Sequence, residues 1–329
     1  MAAAAVGPSS SSPKGSKTSN KPWARTDIPD LTGKVCMVTG GTGGIGYETA
    51  IALVQSGAQV FVVGRSEERG NEAVEKIKNA IKLIPSAGTV SFLQAELGSM
   101  ASIEEFAKNF NAKELALDIL INNAGISAPP TRQTTIDGFE SVMGTNQLGT
   151  FAVTGQLLPS LKRSTAPRVV TVSSAMAEHC QPLDFEDFQT ERKKYPGHKL
   201  YAQSKLANML FTVELQRKSD ANGWGISAIV VHPGLVKTEM TAKRDTLFSK
   251  FIGVAVLPFL GQEAAVGSHP SLCAATCPTV KGGEYYGPGG LMGASGNVTK
   301  LEIPKNAKDV TAAEQLWKVS EELTKVVYN

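Results

Sequence analysis

The sequence is short of cysteine, of net charge and of long apolar runs, and each shortage excludes a class of protein. Four cysteines in 329 residues give no disulfide framework, which suits a reducing compartment. Cys273 and Cys277 lie one helical turn apart with only His269 close by, which is too few ligands for a zinc site. The formal net charge is +3 and the lysines are scattered, so nucleic acid is not an expected partner. No run of about 20 apolar residues occurs, so no transmembrane span is expected.

The N-terminal segment lacks acidic residues and is rich in Ala, Ser and Lys. A segment of this composition cannot bury a core, so we expect a disordered extension over residues 1–22. Serine without acid is also typical of an organelle transit peptide, but no arginine precedes Arg25 and no amphipathic pattern is present. We therefore expect a cytoplasmic protein, with a plastid or another organelle as the alternative.

From residue 35 onward, short apolar β-branched runs alternate with helix-length amphipathic stretches. This rhythm predicts a single Rossmann-type α/β domain over residues 23–329, a doubly wound parallel sheet of about seven strands with helices on both faces. The predicted strands are 35–38, 60–63, 90–93, 119–121, 169–172, 226–231 and 284–286, and the predicted helices are 47–55, 67–83, 103–110, 139–161 and 200–218. A last helix should start near Thr311 in a capping box with Glu314, burying Leu316, Val319 and Leu323.

A glycine-rich turn at residues 39–46 follows the first predicted strand and opens the first predicted helix. Glycines let backbone amides approach a pyrophosphate, and the helix N-terminus adds a favourable dipole. Two registers fit: G-x-G-x-x-G from Gly41 and T-G-x-x-x-G-x-G from Thr39, and the second is preferred because it starts directly against the strand. The residues assigned to the dinucleotide are Gly40, Thr42, Gly44, Ile45 and Gly46.

Arg65 stands at the end of the second predicted strand, where an acidic residue would bind the ribose 2′-hydroxyl of NAD. It lies 19 residues beyond Gly46 (65 − 46), close to the spacing of about 20 that this position requires. A guanidinium can bind a 2′-phosphate in bidentate fashion, so NADP(H) is the predicted coenzyme.

Tyr201 and Lys205 lie four positions apart inside a predicted helix. That spacing places a phenol and an ammonium on one helix face. A nearby cation favours the phenolate, so the tyrosine could act as an acid or base near neutral pH. A dinucleotide site and a proton donor in one domain together indicate hydride transfer.

Taken in chain order, these motifs resemble those of the short-chain dehydrogenase/reductase superfamily over residues 23–328. The matching motifs are the glycine turn, Asn122-Asn123-Ala124-Gly125, Asn146, Val172-Ser173-Ser174, Tyr201-x-x-x-Lys205 and His232-Pro233-Gly234. By that resemblance Tyr201 exchanges a proton with the substrate oxygen, Ser174 holds that oxygen, Lys205 lowers the tyrosine pKa and binds the nicotinamide ribose, and Asn146 holds a relay water. From the residues alone, Ser173 and Ser174 could equally be a helix-capping pair; the family pattern selects Ser174.

The resemblance also implies further coenzyme contacts. These are Glu96, Leu97, Asn123, Ala124, Gly125, Tyr201, Lys205, Pro233, Gly234, Val236 and Thr238. Glu96 stands where the family commonly has aspartate, so the departure concerns its side-chain contact with adenine and leaves the backbone role of Leu97 unchanged.

The long interval between Ser174 and Tyr201, 27 residues (201 − 174), is similar to that of the retinol dehydrogenase-like and protochlorophyllide reductase-like branch. Leu183-Asp184-Phe185-Glu186-Asp187 and Ser204-Lys205-Leu206-Ala207-Asn208 carry the same similarity. Members of that branch act on bulky lipophilic carbonyls or alcohols. The chain departs from it in lacking the N-terminal membrane anchor of retinoid enzymes and the cysteine-bearing loop of light-driven reductases.

The apolar stretch within residues 246–260 has three interpretations: a lid over a lipophilic substrate, a peripheral membrane contact, or ordinary helix packing. The leading hypothesis is an NADP(H)-dependent oxidoreductase acting on a small lipophilic carbonyl or alcohol, as a monomer or homodimer. The alternative is a catalytically silent NADP-binding regulatory or membrane-surface protein of the same fold.

Overall fold

The apolar runs form the strands of one sheet in the computed structural model, which describes residues 22–195, 197–237, 261–290 and 293–329. The strands are β1 (Val35–Thr39), β2 (Gln59–Gly64), β3 (Thr89–Gln94), β4 (Ile119–Asn122), β5 (Arg168–Val172), β6 (Ser227–Val231), β7 (Tyr285–Pro288) and β8 (Val298–Leu301). Their order is β3-β2-β1-β4-β5-β6-β7-β8, and the first seven are parallel. The strand order therefore reverses between the neighbouring strands β1 and β4, and open α/β sheets bind ligands in the crevice at such a point.

Helices cover both faces of the sheet, as the sequence predicted. They are α1 (Gly44–Gln55), α2 (Glu67–Ile81), α3 (Met100–Asn111), α4 (Ser141–Met143), α5 (Gly149–Gln156), α6 (Leu158–Leu161), α7 (His198–Asn222), α8 (Ala264–Gly267), α9 (His269–Thr276) and α10 (Val310–Thr324). Residues of α1, α2 and α9 share one buried cluster, and residues of α3, α5, α7 and α10 share the other. Alternate residues of each central strand enter opposite clusters, which is why these strands carry no polar alternation.

Among the described residues the sheet has eight strands, one more than the sequence predicted, and the last is antiparallel to β7. Strand β8 reads Val-Thr-Lys-Leu and none of its residues is buried. An edge strand of this kind lacks the continuous apolar run that marks the interior strands. The pattern that found the other strands therefore could not find it.

The helix predicted over residues 139–161 is interrupted. Between α4 and α5 the chain forms a π-helical turn, Gly144–Leu148, which carries Asn146. The buried Glu140 carboxylate caps α4, accepting from the backbone amides of Val142 (3.0 Å) and Met143 (2.8 Å). A π turn has wider hydrogen-bond spacing than an α-helix, and apolar periodicity does not report it.

The capping box predicted at Thr311 is wrong. Helix α10 begins one residue earlier, at Val310, and Asp309 caps it by accepting from the Ala312 amide at 3.0 Å. Leu316 is buried as predicted, whereas Val319 and Leu323 are only partly buried. Trp317, which the prediction omitted, is buried within an aromatic cluster with Phe151, Phe211 and Tyr328.

Within the described ranges, no helix combines the length and the apolar character needed to cross a membrane. Residues 1–21, Thr238 and the apolar stretch at 246–260 lie outside those ranges. The three interpretations of that stretch therefore stay open.

Candidate active site

The glycine turn between β1 and α1 is held by close contacts that exclude side chains. Gly40 has φ +65°, and a Cβ there would lie 2.9 Å from the Cα of Ala124. A Cβ on Gly46 would lie 2.3 Å from the carbonyl oxygen of Gly40. The first turn of α1 therefore sits directly on the strand-to-helix turn, leaving exposed backbone where a pyrophosphate would need it.

The loop after β4 is fastened to this turn by Asn123. Its Nδ2 donates to the carbonyl oxygens of Thr39 (2.9 Å) and Gly40 (3.3 Å). The backbone amides of Asn123 and Ala124 both donate to the Thr39 hydroxyl at 3.1 Å. The side chain of Asn123 is thus engaged by the protein, and a coenzyme contact there would fall to the backbone of Asn123 and Ala124.

Two arginines lie at the outer end of the glycine turn. Arg65 follows β2, is largely exposed, and pairs loosely with Glu96 (Nη1 to Oε2, 3.9 Å). A guanidinium nitrogen of Arg69 lies 3.6 Å from the position that a Cβ on Gly43 would take. A polar cavity of about 410 Å³ opens there, with Thr42, Gly43, Tyr47 and Arg69 in its wall. Arg69 was not among the predicted coenzyme residues, although it stands four positions beyond Arg65.

Glu96 and Leu97 lie at the end of β3, on the same side of the turn as Arg65. Glu96 accepts from the Gly98 amide at 3.0 Å through Oε1, the carboxylate oxygen that does not face Arg65. Leu97 is buried, and a Cβ on Gly149 of α5 would lie 2.4 Å from its carbonyl oxygen. The extra methylene of Glu96, compared with aspartate, places its carboxylate beside the arginine.

Lys205 projects from α7 into the buried centre of the site. Its Nζ donates to the carbonyl oxygen of Val172 at 3.0 Å and lies 5.8 Å from the centroid of the Tyr201 ring. Desolvation by burial lowers the pKa of Lys205 to about 8. A Cβ on Gly125 would lie 3.4 Å from this Nζ and 3.2 Å from Asn146 Oδ1, so the three residues meet at one point.

Asn146 ties the loop after β4 to α7. Its Oδ1 accepts from the Ile126 amide at 2.7 Å, and its Nδ2 donates to the Ile126 carbonyl (3.1 Å) and to Ser204 Oγ (3.0 Å). Ser204 in turn donates to the carbonyl of Tyr201 at 2.8 Å. Because both Nδ2 protons are engaged, a relay water near Asn146 could only donate to this residue, at the second lone pair of Oδ1 or at the backbone carbonyl.

The structure separates the two serines that the sequence could not. Ser173 is buried and donates to the carbonyl oxygen of Lys205 at 2.7 Å, which fixes α7 against β5. Ser174 is only half-buried and caps the short turn Ala175–Ala177, accepting from the Met176 amide at 3.3 Å. That bond uses a lone pair and not the hydroxyl proton, so Ser174 can still donate to a substrate oxygen.

The loop after β6 brings Val236 next to the glycine turn. A Cβ on Gly267 would lie 2.6 Å from Val236 Cγ2 and 3.5 Å from Ile45 Cγ1, so these side chains are neighbours. Gly234 has φ +76°, and Gln262 donates to the carbonyl of Pro233 at 2.8 Å. His232 is buried, which lowers its pKa to about 4, so the imidazole is neutral at physiological pH.

The described residues of the predicted site follow the carboxyl ends of β1 to β6 or lie on α7 and in the π turn, and the Asn123 side chain is held by the glycine turn. A glycine turn, a buried lysine beside a tyrosine, and a serine at the end of the adjoining strand define a dinucleotide-dependent oxidoreductase of Rossmann type. A family model described as short chain dehydrogenase matches residues 34–185.

Comparison with known proteins places the chain more narrowly. Human polyprenol dehydrogenase is 38% identical over 308 residues, covering 91% of this chain and 88% of the relative. Human retinol dehydrogenase 12 is 36% identical over 305 residues, with 91% and 88% covered. A crystal structure of an uncharacterized protein from Mycobacterium paratuberculosis has a TM-score of 0.76 and 33% identity, covering 94% of this chain and 100% of that one. The chain belongs to the short-chain dehydrogenase/reductase family, in its retinol dehydrogenase-like branch.

Burial of Lys205 should make the stability of the coenzyme-free protein depend on pH. The pKa of Lys205 is about 8 in the folded protein, whereas an ordinary lysine has a pKa of 10.5. Below pH 8 the folded protein therefore holds a buried ammonium charge, which water solvates in the unfolded chain. Between about pH 8 and pH 10.5 the unfolded state binds more protons, and a penalty on the order of 3 kcal/mol is relieved as pH rises. Lys205→Met removes the group, so the Tm of the wild type should rise relative to this variant from about pH 8 to about pH 10.5.

Lys199→Met is the matched control for this measurement, since Lys199 lies on the same helix but is exposed. Its Tm should follow that of the wild type at every pH. A wild-type to Lys205→Met difference that stays constant across the range would contradict the buried, desolvated ammonium.

Proposed function

We propose that the protein is an NADP(H)-dependent oxidoreductase that transfers a hydride between the nicotinamide and a lipophilic carbonyl or alcohol. The observation that carries the proposal is the buried Lys205 ammonium beside the Tyr201 ring, at the same sheet edge as the glycine turn. Gly40 and Gly46 are places where a Cβ would clash with neighbouring residues, and the bare backbone of this turn fits a dinucleotide.

In this mechanism the bound coenzyme supplies or accepts the hydride, and the protein manages the proton. Tyr201 donates a proton to the carbonyl oxygen during reduction and removes it during oxidation. Lys205, held by the Val172 carbonyl, favours the phenolate electrostatically and orients the ribose. Ser174 donates a hydrogen bond to the same oxygen as negative charge develops on it.

Asn146 and Ser204 act one step further from the reacting atoms. Asn146 bridges the loop carrying Gly125 to α7, and Ser204 extends the bridge to the backbone of Tyr201. The π turn around Asn146 lets its side chain reach both partners. These bonds hold Tyr201 at a fixed distance from the coenzyme loop, which keeps the reacting groups in near-attack geometry.

The preference for NADP(H) rests on the two arginines at the outer end of the glycine turn. Arg65 is exposed and only loosely paired with Glu96, so its guanidinium can turn toward a phosphate. Arg69 borders the cavity beside Gly43 and adds a second positive charge there. A 2′-phosphate between them would accept charge-assisted hydrogen bonds that the 2′-hydroxyl of NAD cannot.

The lipophilic substrate is supported by two observations. The similar human proteins are named for polyprenol and retinol, both long apolar alcohols. Met176, two residues beyond Ser174, is 42% exposed at the site, an apolar surface beside the oxygen-binding serine.

Substrate preference can be tested by following NADPH absorbance with a matched pair of aldehydes. A long polyisoprenoid aldehyde and a short one with the same α,β-unsaturated head group differ only in apolar length. We expect kcat/KM to be at least about tenfold higher for the long aldehyde, since each buried methylene adds about 0.8 kcal/mol. Equal kcat/KM values for the two aldehydes would contradict a lipophilic site. If neither aldehyde supports the oxidation of NADPH, the carbonyl assignment is wrong.

A further inference from the structure

Three buried oxygen atoms beneath the active site lack a hydrogen-bond partner among the described residues. They are Asn122 Oδ1, Thr171 Oγ1 and Asn208 Oδ1. Each belongs to a side chain that is at most 2% exposed. An unsatisfied buried polar group costs about 1–3 kcal/mol, so each of the three atoms calls for a partner.

Asn122 and Thr171 are neighbours on one face of the sheet. They are paired across β4 and β5, where adjacent strands lie about 4.8 Å apart. Leu120 and Val169, two residues earlier on each strand, belong to the cluster formed with α5 and α7. Because side chains alternate along a strand, Asn122 and Thr171 face those two helices.

Asn208 comes down to the same level from α7. The Ser173 hydroxyl donates to the carbonyl of Lys205, so Lys205 is level with the end of β5. Helix α7 runs opposite to β5, and Asn208 lies about 4.5 Å below Lys205 on the same helix face. Thr171 lies about 6.6 Å below Ser173 along the strand. Asn208 and Thr171 therefore face each other.

The orientation of the Asn122 amide follows from its other contacts. The Thr154 hydroxyl gives its single proton to the carbonyl of Thr150 at 2.8 Å, so toward Asn122 it can only accept. The Asn122 nitrogen must then be the donor to Thr154, at 2.9 Å. This fixes the Asn122 oxygen, an acceptor, on the side of the amide away from Thr154.

We propose that Asn122, Thr171 and Asn208 bind one ordered internal water. The water donates its two protons to the amide oxygens of Asn122 and Asn208 and accepts the proton of the Thr171 hydroxyl. Two acceptors and one donor match the hydrogen-bonding capacity of a water molecule, and buried waters make about three such bonds. The water site would form whatever substrate the enzyme takes.

This water joins the elements that carry the candidate catalytic residues. From Asn122 a chain of hydrogen bonds runs through Thr154 and Thr150 to the backbone carbonyl of Asn146, the last bond measuring 2.8 Å. From Asn208 the helix leads one turn up to Lys205. The water thus links β4, β5, the Asn146 helix and α7 at one point, which explains polar residues in otherwise apolar strands.

The proposal is tested by substituting the one hydroxyl that donates to the water. Thr171→Val keeps the side-chain volume and removes the proton. If a water is bound, the variant strands it against the valine methyl and the Tm should fall by about 2–6 °C. If the hydroxyl is unpartnered in a dry interior, its removal relieves the penalty and the Tm rises.

Two further measurements separate a shared water from a merely tight core. Asn208→Leu combined with Thr171→Val should be less destabilising than the sum of the single variants, since both contact one molecule. A high-resolution crystal structure of the wild type should show a density peak within hydrogen-bond distance of all three oxygens. Absence of that peak, a higher Tm for Thr171→Val, or strict additivity each overturns the proposal.

Discussion

Tyr201→Phe is expected to bind NADPH as tightly as the wild type and to lose turnover by about 10²–10⁴-fold. The substitution removes one oxygen and keeps the ring, so the packing of α7 and the position of Lys205 should not change. Without the phenol, a substrate oxygen beside Ser174 receives a hydrogen bond but no proton. Steady-state kinetics with the best aldehyde, together with NADPH binding followed by fluorescence, would measure both quantities.

Tyr286→Phe is the matched control, because that phenol bonds to Glu284 at 2.8 Å on β7, away from Lys205. Its turnover should stay near that of the wild type. Near-normal turnover in Tyr201→Phe would remove the acid–base assignment. An inactive wild-type chain that still binds NADPH would instead favour the catalytically silent alternative.

The interior strands could be predicted from the sequence because they are buried on both faces of the sheet. Strands β1, β2, β4, β5 and β6 carry apolar runs that are buried on both faces of the sheet. The sequence did not predict strand β8 because a strand at the sheet edge does not need a continuous apolar run. The sequence did not predict the Asp309 cap because Thr311 and Glu314 form an equally good capping pattern. Only the packing of α10 decides between the two caps.

The sequence predicted only those residues of the candidate site that belong to motifs in a fixed order along the chain. Tyr201 and Lys205 are separated by one helical turn, so their proximity is readable directly. Ser173 and Ser174 are adjacent, and only burial shows that the first is committed to the Lys205 carbonyl. Arg69 reaches Gly43 across the gap between α1 and α2, a contact that no spacing rule predicts.

Two polar residues buried among apolar neighbours have surroundings that the motifs do not explain. Asn122 precedes the Asn-Ala-Gly segment, and Asn208 follows the Tyr-x-x-x-Lys pair. Their positions beside these motifs suggest that both side chains contact the coenzyme. Their oxygens are instead buried without a hydrogen-bond partner among the described residues, which is what the proposed water would satisfy. Motif membership therefore did not predict which of these side chains reaches a ligand.

Arg65→Asp should weaken NADPH binding by about 100-fold and leave NADH binding within about threefold. The substitution removes charge-assisted hydrogen bonds to the 2′-phosphate, worth about 1.5–3 kcal/mol each, and places a carboxylate beside Glu96 where the phosphate would lie. NADH has a 2′-hydroxyl there, which a carboxylate can accept from. Titration of each coenzyme, followed by protein fluorescence, gives the two dissociation constants.

Lys82→Asp makes the same change of charge at an exposed position at the far end of α2, and it should shift both affinities by little. Arg69→Ala should weaken NADPH less than Arg65→Asp does, since it removes one cation without adding an anion. A loss of NADPH and NADH affinity by the same factor in Arg65→Asp would mean that the arginine shapes the turn without touching the phosphate. In that case the loose pair with Glu96 would be structural, and the coenzyme preference would have to come from Arg69 and the cavity beside Gly43.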